Sequence, residues 1–297
     1  MSRFVPPVVV LLLFAAACGG PTNPSPIGPP GSQPPSSGDA VFVGAGDIGL
    51  CGSRGPASTA ELIENIPGTV FTTGDNAYPL GSADDYQNCY HPTWGRFRDR
   101  TRPSPGNHEY DSPGATPYYA YFGANAGPAG LGYYSFNLES WHIVSLNSEA
   151  GTDPGAAQLS WLTADLTANR TQCTLAYYHK PVFSSGAHGN NPHMLPIWRV
   201  LFEHGVDVVL NGHDHNYERF APQDDLGRHD PQRGIRQFVV GTGGTSLRPF
   251  EQIRPNSEAR AGAWGVLRLT LRPGRYDWDF LSVAGGSLSD SGSGQCH

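Results

Sequence analysis

The tetrapeptide Gly212-His213-Asp214-His215 constrains this chain more than any other feature of its sequence. It follows residues 206–210, a largely apolar run with one aspartate that predicts a buried parallel strand. Side chains two residues apart on an extended segment point to the same side. The two imidazoles can therefore face one cation, or two adjacent cations, from a loop at the carboxyl end of the strand.

Further side chains of the metal-ligating type occur where other strands are expected to end. The full set is Asp47, Asp75 with Tyr78, Asn107 with His108, His179, and His213 with His215. Each of these residues taken alone is more often part of a turn or a helix cap than a ligand. Ligands of open α/β sheets gather outside the carboxyl ends of the strands, however, and neighbouring glycines let the backbone come close. Motifs of this kind in this order indicate one shared site.

The order of predicted elements indicates an α/β fold, with two packed mixed β-sheets flanked by helices and the active site at strand carboxyl ends. Strands are predicted at residues 41–45, 70–73, 133–138, 142–146, 174–178, 206–210, 236–240, 265–271 and 276–282, and helices at 58–66, 156–169 and 194–204. The last three strands are expected to be antiparallel, with the final two joined by a turn at Pro273-Gly274. Residues 40–297 suit one large domain.

The motifs resemble those of the calcineurin-like metallophosphoesterases, and of the purple acid phosphatases in particular. The resemblance rests on Gly-Asp at 46–47, Gly-Asp-x-x-Tyr at 74–78, Gly-Asn-His-Glu at 106–109, the single His179, and Gly-His-x-His at 212–215. It covers roughly residues 41–247, with softer matches at 217–220 and 241–244.

The resemblance implies a binuclear metal centre. One ion would be held by Asp47, Tyr78 and His215, the other by Asn107, His179 and His213, and Asp75 would be shared. A carboxylate can bridge two cations through its two oxygens, and such a pair clamps a phosphate and generates hydroxide near neutral pH. The anionic set suits iron(III), whereas imidazoles with an amide oxygen suit a divalent zinc, manganese or iron ion.

The resemblance also implies roles for two further histidines. His108 would contact the phosphate or protonate the leaving group, and His188 would face the substrate. An alternative for His188 is a loop histidine in water. Histidines rather than arginines are expected to complete the site.

The function implied is the hydrolysis of phosphomonoesters by attack of a metal-bound hydroxide. A phosphodiesterase or nucleotide hydrolase on the same site is the nearest alternative. A non-catalytic surface-binding protein that keeps the fold is a more remote one, because none of the expected ligands is missing. The net charge of −7 does not indicate binding to nucleic acid.

The amino-terminal segment predicts export. Residues 1–17 combine Arg3 with an apolar run of signal-peptide length, and small residues before Cys18 resemble a bacterial lipobox. A lipid on Cys18 would then be the only membrane contact of a cell-surface lipoprotein. An ordinary secretory signal is the alternative. Residues 18–39 are rich in Pro, Ser and Gly and predict a linker.

The remaining cysteines predict disulfides. With Cys18 set aside, Cys51, Cys89, Cys173 and Cys296 form an even number in an exported chain, which allows three connectivities. The expected pairs are Cys51–Cys89, on short loops after neighbouring strands, and Cys173–Cys296, which would attach the carboxyl terminus to a central strand.

Overall fold

The computed structural model describes residues 1, 2, 4, 38–150, 156–284 and 289–297. All elements below lie in the compact unit Ser32–His297. The predicted signal peptide, the predicted lipidation site Cys18 and the predicted linker lie outside the described residues, apart from positions 1, 2, 4, 38 and 39. Among the described residues, no helix has the length and apolar character needed to cross a membrane.

The described strands form two mixed sheets. They are β1 (Ala40–Ala45), β2 (Thr69–Thr73), β3 (Thr101–Ser104), β4 (Tyr134–Leu138), β5 (Trp141–Ser145), β6 (Cys173–Tyr177), β7 (Val208–Asn211), β8 (Tyr217–Phe220), β9 (Arg236–Val240), β10 (Ser257–Ala261), β11 (Gly265–Arg272), β12 (Arg275–Ser282) and β13 (Asp290–Gln295). One sheet has the order β13-β12-β11-β1-β2-β3 and the other β10-β8-β9-β7-β6-β5-β4. The prediction of two mixed sheets is confirmed.

Helices flank both sheets. They are α1 (Gly55–Glu64), α2 (Ala83–Asp85), α3 (Asn107–Asp111), α4 (Thr116–Phe122), α5 (Ala156–Ala168) and α6 (Leu195–Glu203), with a π turn at Tyr86–Tyr90 and 3-10 turns at Trp94–Arg100, Pro113–Ala115, Gly123–Ala126 and Pro192–Met194. Pro56 lies in the first turn of α1, where its fixed φ suits the helix and its missing N–H costs no hydrogen bond.

Aromatic side chains fill the space between the sheets. The ring of Phe42 on β1 lies 4.8 Å from Phe71 on β2 and 5.7 Å from Tyr177 on β6 of the other sheet. A second apolar cluster, which includes Leu162 of α5 and Ile197 of α6, covers the outer face of the second sheet. Because both faces of β6 and β7 are buried, these strands are mostly apolar and show no regular alternation of polar and apolar residues.

The loops that follow β1, β2 and β9 are bonded to one another. The backbone N–H groups of Asp47 and Ile48 donate to the carbonyls of Gly74 and Asp75, and Gly46 donates to Val240. Parallel strands bring their carboxyl ends to one edge of a sheet. These bonds join the relevant edges of the two sheets, so that loops from both sheets meet.

Strand β9 differs from its predicted pairing. It lies parallel to β7 and is antiparallel only to β8, which the sequence analysis did not predict. Strand β8 is four residues long and contains Glu218 and Arg219, and charged residues of this kind are uncommon in strands. Glu218 is nonetheless buried, because it accepts hydrogen bonds from the backbone and side chain of Ser185.

Strand β13 was also not predicted, since its sequence of Asp, Ser, Gly and Gln is typical of a loop. Its glycines allow it to pack against β12. A Cβ at Gly292 would lie 2.4 Å from the Trp278 ring, and one at Gly294 would lie 2.3 Å from Tyr276. The strand therefore packs its backbone directly on two aromatic rings of β12.

Both expected disulfides are present. Cys51–Cys89 joins the loop after β1 to the π turn, and Cys173–Cys296 joins β6 to the residue after β13. In the chain-entropy description, closing loops of 38 and 123 residues stabilises the fold by about 4 and about 5 kcal/mol. The first of these bonds lies close to the residues described next.

Candidate metal centre

Backbone conformation at the edge where the loops meet is unusual. Asp47, Asp75 and His213 have φ values of 60°, 49° and 72°, a left-handed region that few residues other than glycine adopt. A Cβ at Gly106 would lie 2.3 Å from Asp75 Oδ1, and one at Gly212 would lie 2.6 Å from Asp47 Oδ2. These two positions beside predicted ligands therefore have no room for a side chain, and only glycine fits there.

The first predicted ligand set comes together around the phenol oxygen of Tyr78. This oxygen lies 2.8 Å from Asp47 Oδ1, 3.0 Å from Asp75 Oδ2 and 3.4 Å from His215 Nε2. His215 Nε2 is in turn 3.3 Å from Asp47 Oδ1. All four side chains are buried.

The second predicted set comes together around His179. Its Nε2 lies 3.2 Å from Asp75 Oδ2, 3.1 Å from Asn107 Oδ1 and 3.2 Å from His213 Nδ1. His179 is fully buried, whereas Asn107 and His213 are partly exposed. The structure thus brings all seven predicted ligands into two adjoining groups.

Asp75 belongs to both groups through a single oxygen. Its Oδ2 faces Tyr78 and His179, while its Oδ1 accepts the backbone N–H of His108 at 2.9 Å. Asp47 behaves in the same way: its Oδ2 accepts the backbone N–H of His213 and its Oδ1 faces the site.

The donor chemistry of this cluster fits metal ions. Nδ1 of His179 lies 2.8 Å from the carbonyl of Thr73, and Nδ1 of His215 lies 2.7 Å from that of Ser246, so each Nδ1 carries a proton. In each neutral ring, Nε2 then presents a lone pair to carboxylate oxygens. A proton placed between two of these atoms forms one hydrogen bond and leaves the others unpaired, whereas a metal cation can bind all of them at once. The second hydrogen bond also fixes ring orientation, as in known metal sites.

The electrostatics of the cluster favour positive charge. Burial alone would lower the pKa of His179, but the Asp75 carboxylate outweighs it and raises that pKa to about 10. Burial, followed by the charges of Asp47 and Asp75, raises the pKa of Tyr78 well above its ordinary value. Burial and the neighbouring His179 lower the pKa of His213. Two buried carboxylates thus attract one proton or cation strongly and oppose a free phenolate.

Glu109 ties two ligand loops together, a role that the sequence analysis did not assign. It accepts the backbone N–H groups of Asp75 at 2.9 Å, Asn76 at 2.8 Å and Gly106 at 2.7 Å, and the phenol of Tyr86 at 3.0 Å. Burial, followed by the charge of Asp75, raises the pKa of Glu109 to about 7. Its position three residues after Gly106, at the start of α3, was the available signal.

His108 lies beside the cluster without joining either group. Its Nδ1 lies 2.6 Å from the carbonyl of Pro79 and 3.1 Å from Asp111 Oδ2, and its Nε2 lies 3.8 Å from Asp75 Oδ2. The ring packs on Tyr78 at 4.5 Å and is 31% exposed. His108 is thus fixed at one nitrogen and open toward the site at the other.

His188 lies on the other side of the cluster. Its ring stacks on that of His213 with centroids 4.2 Å apart, and its backbone N–H donates to the buried Asp214. Its Nε2 lies 2.8 Å from Nη1 of Arg248, a residue that the sequence analysis did not consider. No motif in the sequence marks Arg248, and only the structure places its guanidinium beside His188.

Another group of possible ligands lies elsewhere. Cys173, Asp207 and Cys296 are close enough to share an ion. The two sulfurs form a disulfide, however, and a disulfide offers no thiolate to a metal. Asp207 instead accepts the backbone N–H groups of Thr174 and His297. This group is structural.

Comparisons with known proteins agree with the geometry. Residues 40–217 match the family described as calcineurin-like phosphoesterase. The chain is 29% identical to the probable purple acid phosphatase 20 of Arabidopsis thaliana, over 88% of the chain and 66% of that protein. It is 31% identical to purple acid phosphatase 21 of the same plant, over 80% of the chain and 58% of the relative. It therefore spans less than two thirds of the length of either relative.

A solved structure shares the fold. Purple acid phosphatase PPD1 from yellow lupin (Lupinus luteus) seeds superposes with a TM-score of 0.74 at 21% identity, over 88% of this chain and 54% of that one. The family match covers more than half of the chain and includes every predicted ligand. The chain is a purple acid phosphatase-like member of the calcineurin-like phosphoesterase family.

Proposed function

We propose that this protein hydrolyses phosphomonoesters at a binuclear metal centre. One observation carries the proposal: the two groups of predicted ligand atoms, one around the Tyr78 phenol and one around His179 Nε2, share Asp75 Oδ2. Adjacent cations suit the clamping of a phosphate group. The names of the relatives, purple acid phosphatases, support the same activity.

In this proposal, Asp47, Tyr78 and His215 hold iron(III), and Asn107, His179 and His213 hold a divalent zinc, manganese or iron ion, with Asp75 shared. When bound, the ions would neutralise charge on the phosphoryl oxygens and supply a nucleophile at neutral pH. Burial of Asp47, Asp75 and His179 excludes water from the inner side of the site, which strengthens every charge interaction there.

His108 is proposed to protonate the leaving oxygen. The contact of Nδ1 with the Pro79 carbonyl identifies Nδ1 as a donor and directs Nε2 toward the site. A partly exposed imidazole can regain its proton from water after each turnover. The opposite side of the cluster carries His188 as a substrate-facing residue.

Export is proposed as well. Two disulfides in one chain are typical of an oxidising compartment, which supports a secreted or surface-anchored protein. Lipid attachment at Cys18 belongs to this proposal, and mass spectrometry of the mature amino terminus tests it. An unmodified Cys18 after signal cleavage would favour the secreted form.

The monoester activity is tested by comparing rates on an aryl phosphate monoester and on the matching diester. The metal-loaded protein is expected to hydrolyse the monoester faster. A diester rate that equals or exceeds the monoester rate would favour the phosphodiesterase alternative. No hydrolysis of either compound after addition of iron and zinc would favour a non-catalytic protein.

Asp75→Asn is expected to abolish turnover and to lose most of the bound metal. The backbone N–H of His108 requires an acceptor, so the amide oxygen of the new side chain turns toward it. The amide NH₂ then faces the site, where it cannot bind a cation. Elemental analysis and hydrolysis of a monoester measure the two effects.

The matched control for this variant is Asp84→Asn, which removes the same charge from an exposed position on α2. It should keep metal and activity. An Asp75→Asn protein that retains two ions per chain would contradict the shared role of Asp75.

His108→Ala is expected to retain both ions and to lower kcat by about 10²-fold or more, the usual size of the loss of a general acid. The reason is that the His108 side chain belongs to neither predicted ligand set: its ring packs on Tyr78 at 4.5 Å, and its Nε2 lies 3.8 Å from Asp75 Oδ2. The loss should shrink for substrates whose leaving groups are already good. Exposed His193→Ala is the control, and loss of metal from His108→Ala would show that the assignment is wrong.

The active protein is expected to contain iron and to be coloured, and Tyr78→Phe is expected to remove the colour. The phenol oxygen lies between two carboxylates, so ionising it requires a highly charged cation such as iron(III). Iron(III)–phenolate charge transfer absorbs visible light. Part of the activity should survive, because Asp47, Asp75 and His215 still hold the ion.

Visible absorption spectra and iron content of the wild type and of Tyr78→Phe test this assignment. Tyr133→Phe, a tyrosine packed against Trp161 away from the cluster, is the control and should keep its colour. A colourless, iron-free protein with full activity would refute the assignment while leaving the binuclear proposal intact.

A further inference from the structure

The side chain of Arg248 carries a positive charge at the mouth of the candidate metal centre. Its Nη1 lies 2.8 Å from His188 Nε2, and both residues are exposed. The His188 ring stacks on His213, with centroids 4.2 Å apart and ring planes inclined by 25°. The guanidinium is therefore separated from a predicted ligand by a single imidazole.

The backbone around Arg248 is anchored to another predicted ligand. The N–H of Arg248 donates to the carbonyl of His215 at 3.0 Å, and Nδ1 of His215 donates to the carbonyl of Ser246 at 2.7 Å. Two hydrogen bonds in opposite directions thus join residues 246–248 to His215. These bonds fix the position of the Arg248 backbone, and therefore of its Cα, relative to the site.

The charge of Arg248 has no carboxylate partner in the described parts of the chain. Several other arginines form ion pairs: Arg96 with Glu64, Arg219 with Asp290, Arg228 with Asp224, Arg268 with Asp279, and Arg272 with Asp277. A guanidinium has five N–H donors and no acceptor, and the contact with His188 uses one of them. The others remain available for the oxygens of an anion.

The same contact decides what His188 can do. Because a guanidinium only donates, His188 Nε2 accepts, and the proton of the neutral ring lies on Nδ1. While the contact persists, Nε2 cannot donate a proton to a leaving group. The loop that carries His188 is held by Asp214, which accepts the backbone N–H of His188 and the hydroxyl of Ser184. His188 is therefore built to hold Arg248 in place.

We propose that Arg248, positioned by His188, binds the phosphoryl group at the metal centre and favours the dianion of a monoester over the monoanion of a diester. The inference rests on the proposed function and names the group that selects its substrate class. Bidentate binding of phosphate is a property of arginine that lysine does not share.

The direct test is equilibrium binding of inorganic phosphate to the metal-loaded protein by titration calorimetry. Arg248→Ala should bind phosphate about tenfold or more weakly, the usual effect of losing a charge-assisted hydrogen bond. Arg248→Lys should fall between this variant and the wild type, because it keeps the charge and loses the fork. Metal content should not change, since Arg248 lies outside both predicted ligand sets.

The control variant is Arg170→Ala, which removes an equal charge from an exposed position just before β6. The predicted ligand His179 follows the other end of that strand, so this change should leave phosphate binding as it is. In kinetics, Arg248→Ala should raise the KM for a monoester and reduce the ratio of monoester to diester rates by a similar factor. The control should change neither.

A double-mutant cycle tests the role of His188 as a positioning residue. His188→Ala and Arg248→Ala should each weaken phosphate binding, and the double variant should lose clearly less than the sum of the two effects on the binding free energy. Additive losses would mean that His188 does not act through Arg248, and would overturn that part of the inference.

The other outcomes separate this inference from the proposed function. If the wild type binds phosphate and cleaves monoesters while Arg248→Ala binds phosphate equally well, the inference fails and the proposed function stands. Unchanged phosphate binding with weaker binding of larger anionic substrates would also overturn it, because Arg248 would then contact the leaving group. A wild type that cleaves no phosphate ester would refute the proposed function itself.

Discussion

Acceptor atoms that face one another inside a buried cluster are the constraint on which the rest of this structure depends. His179 Nε2 lies 3.2 Å from Asp75 Oδ2 and 3.1 Å from Asn107 Oδ1, and one proton on this nitrogen cannot serve both oxygens fully. Burial of unsatisfied polar and charged groups is costly. Such a cluster is stable only where the surrounding structure fixes its side chains and where a bound cation can neutralise its charge. Left-handed φ at Asp47 and Asp75 adds to the strain that the fold must hold.

The supporting structure is built in successive layers. Carbonyls of Thr73 and Ser246 orient the imidazoles, and backbone N–H groups occupy the outer oxygen of each aspartate. Glu109 then joins the loop after β2 to the start of α3. The two sheets lie behind these loops, with aromatic packing between Phe42 and Tyr177 holding them together. Each layer restricts the conformations of the layer in front of it, so the orientation of the site side chains is set by hydrogen bonds and packing behind them.

Charge is arranged from the inside of the site outward. Carboxylates and a phenol form the buried interior, and the rim is formed by the partly exposed His108 and by the exposed His188 and Arg248. An interior of this kind attracts cations, and a rim of this kind attracts an anion that approaches from water. In the proposed function these two properties act together. The interior binds the metal cations, and the cations and the rim then both attract the phosphate anion.

Sequence by itself determined which side chains are the predicted ligands, their order along the chain and the edge of the sheet where they gather. These follow from local rules: apolar runs form buried strands, and short glycine-flanked loops place polar residues at their ends. Only the tertiary structure decided which atoms meet. The choice of Asp75 Oδ2 depends on a backbone N–H at His108, and the contact between His188 and Arg248 joins residues 60 positions apart. Strand β13 packs against β12 because its glycines leave room for the rings of Tyr276 and Trp278. Such pairings depend on packing between distant segments, and no local pattern of residues records that packing.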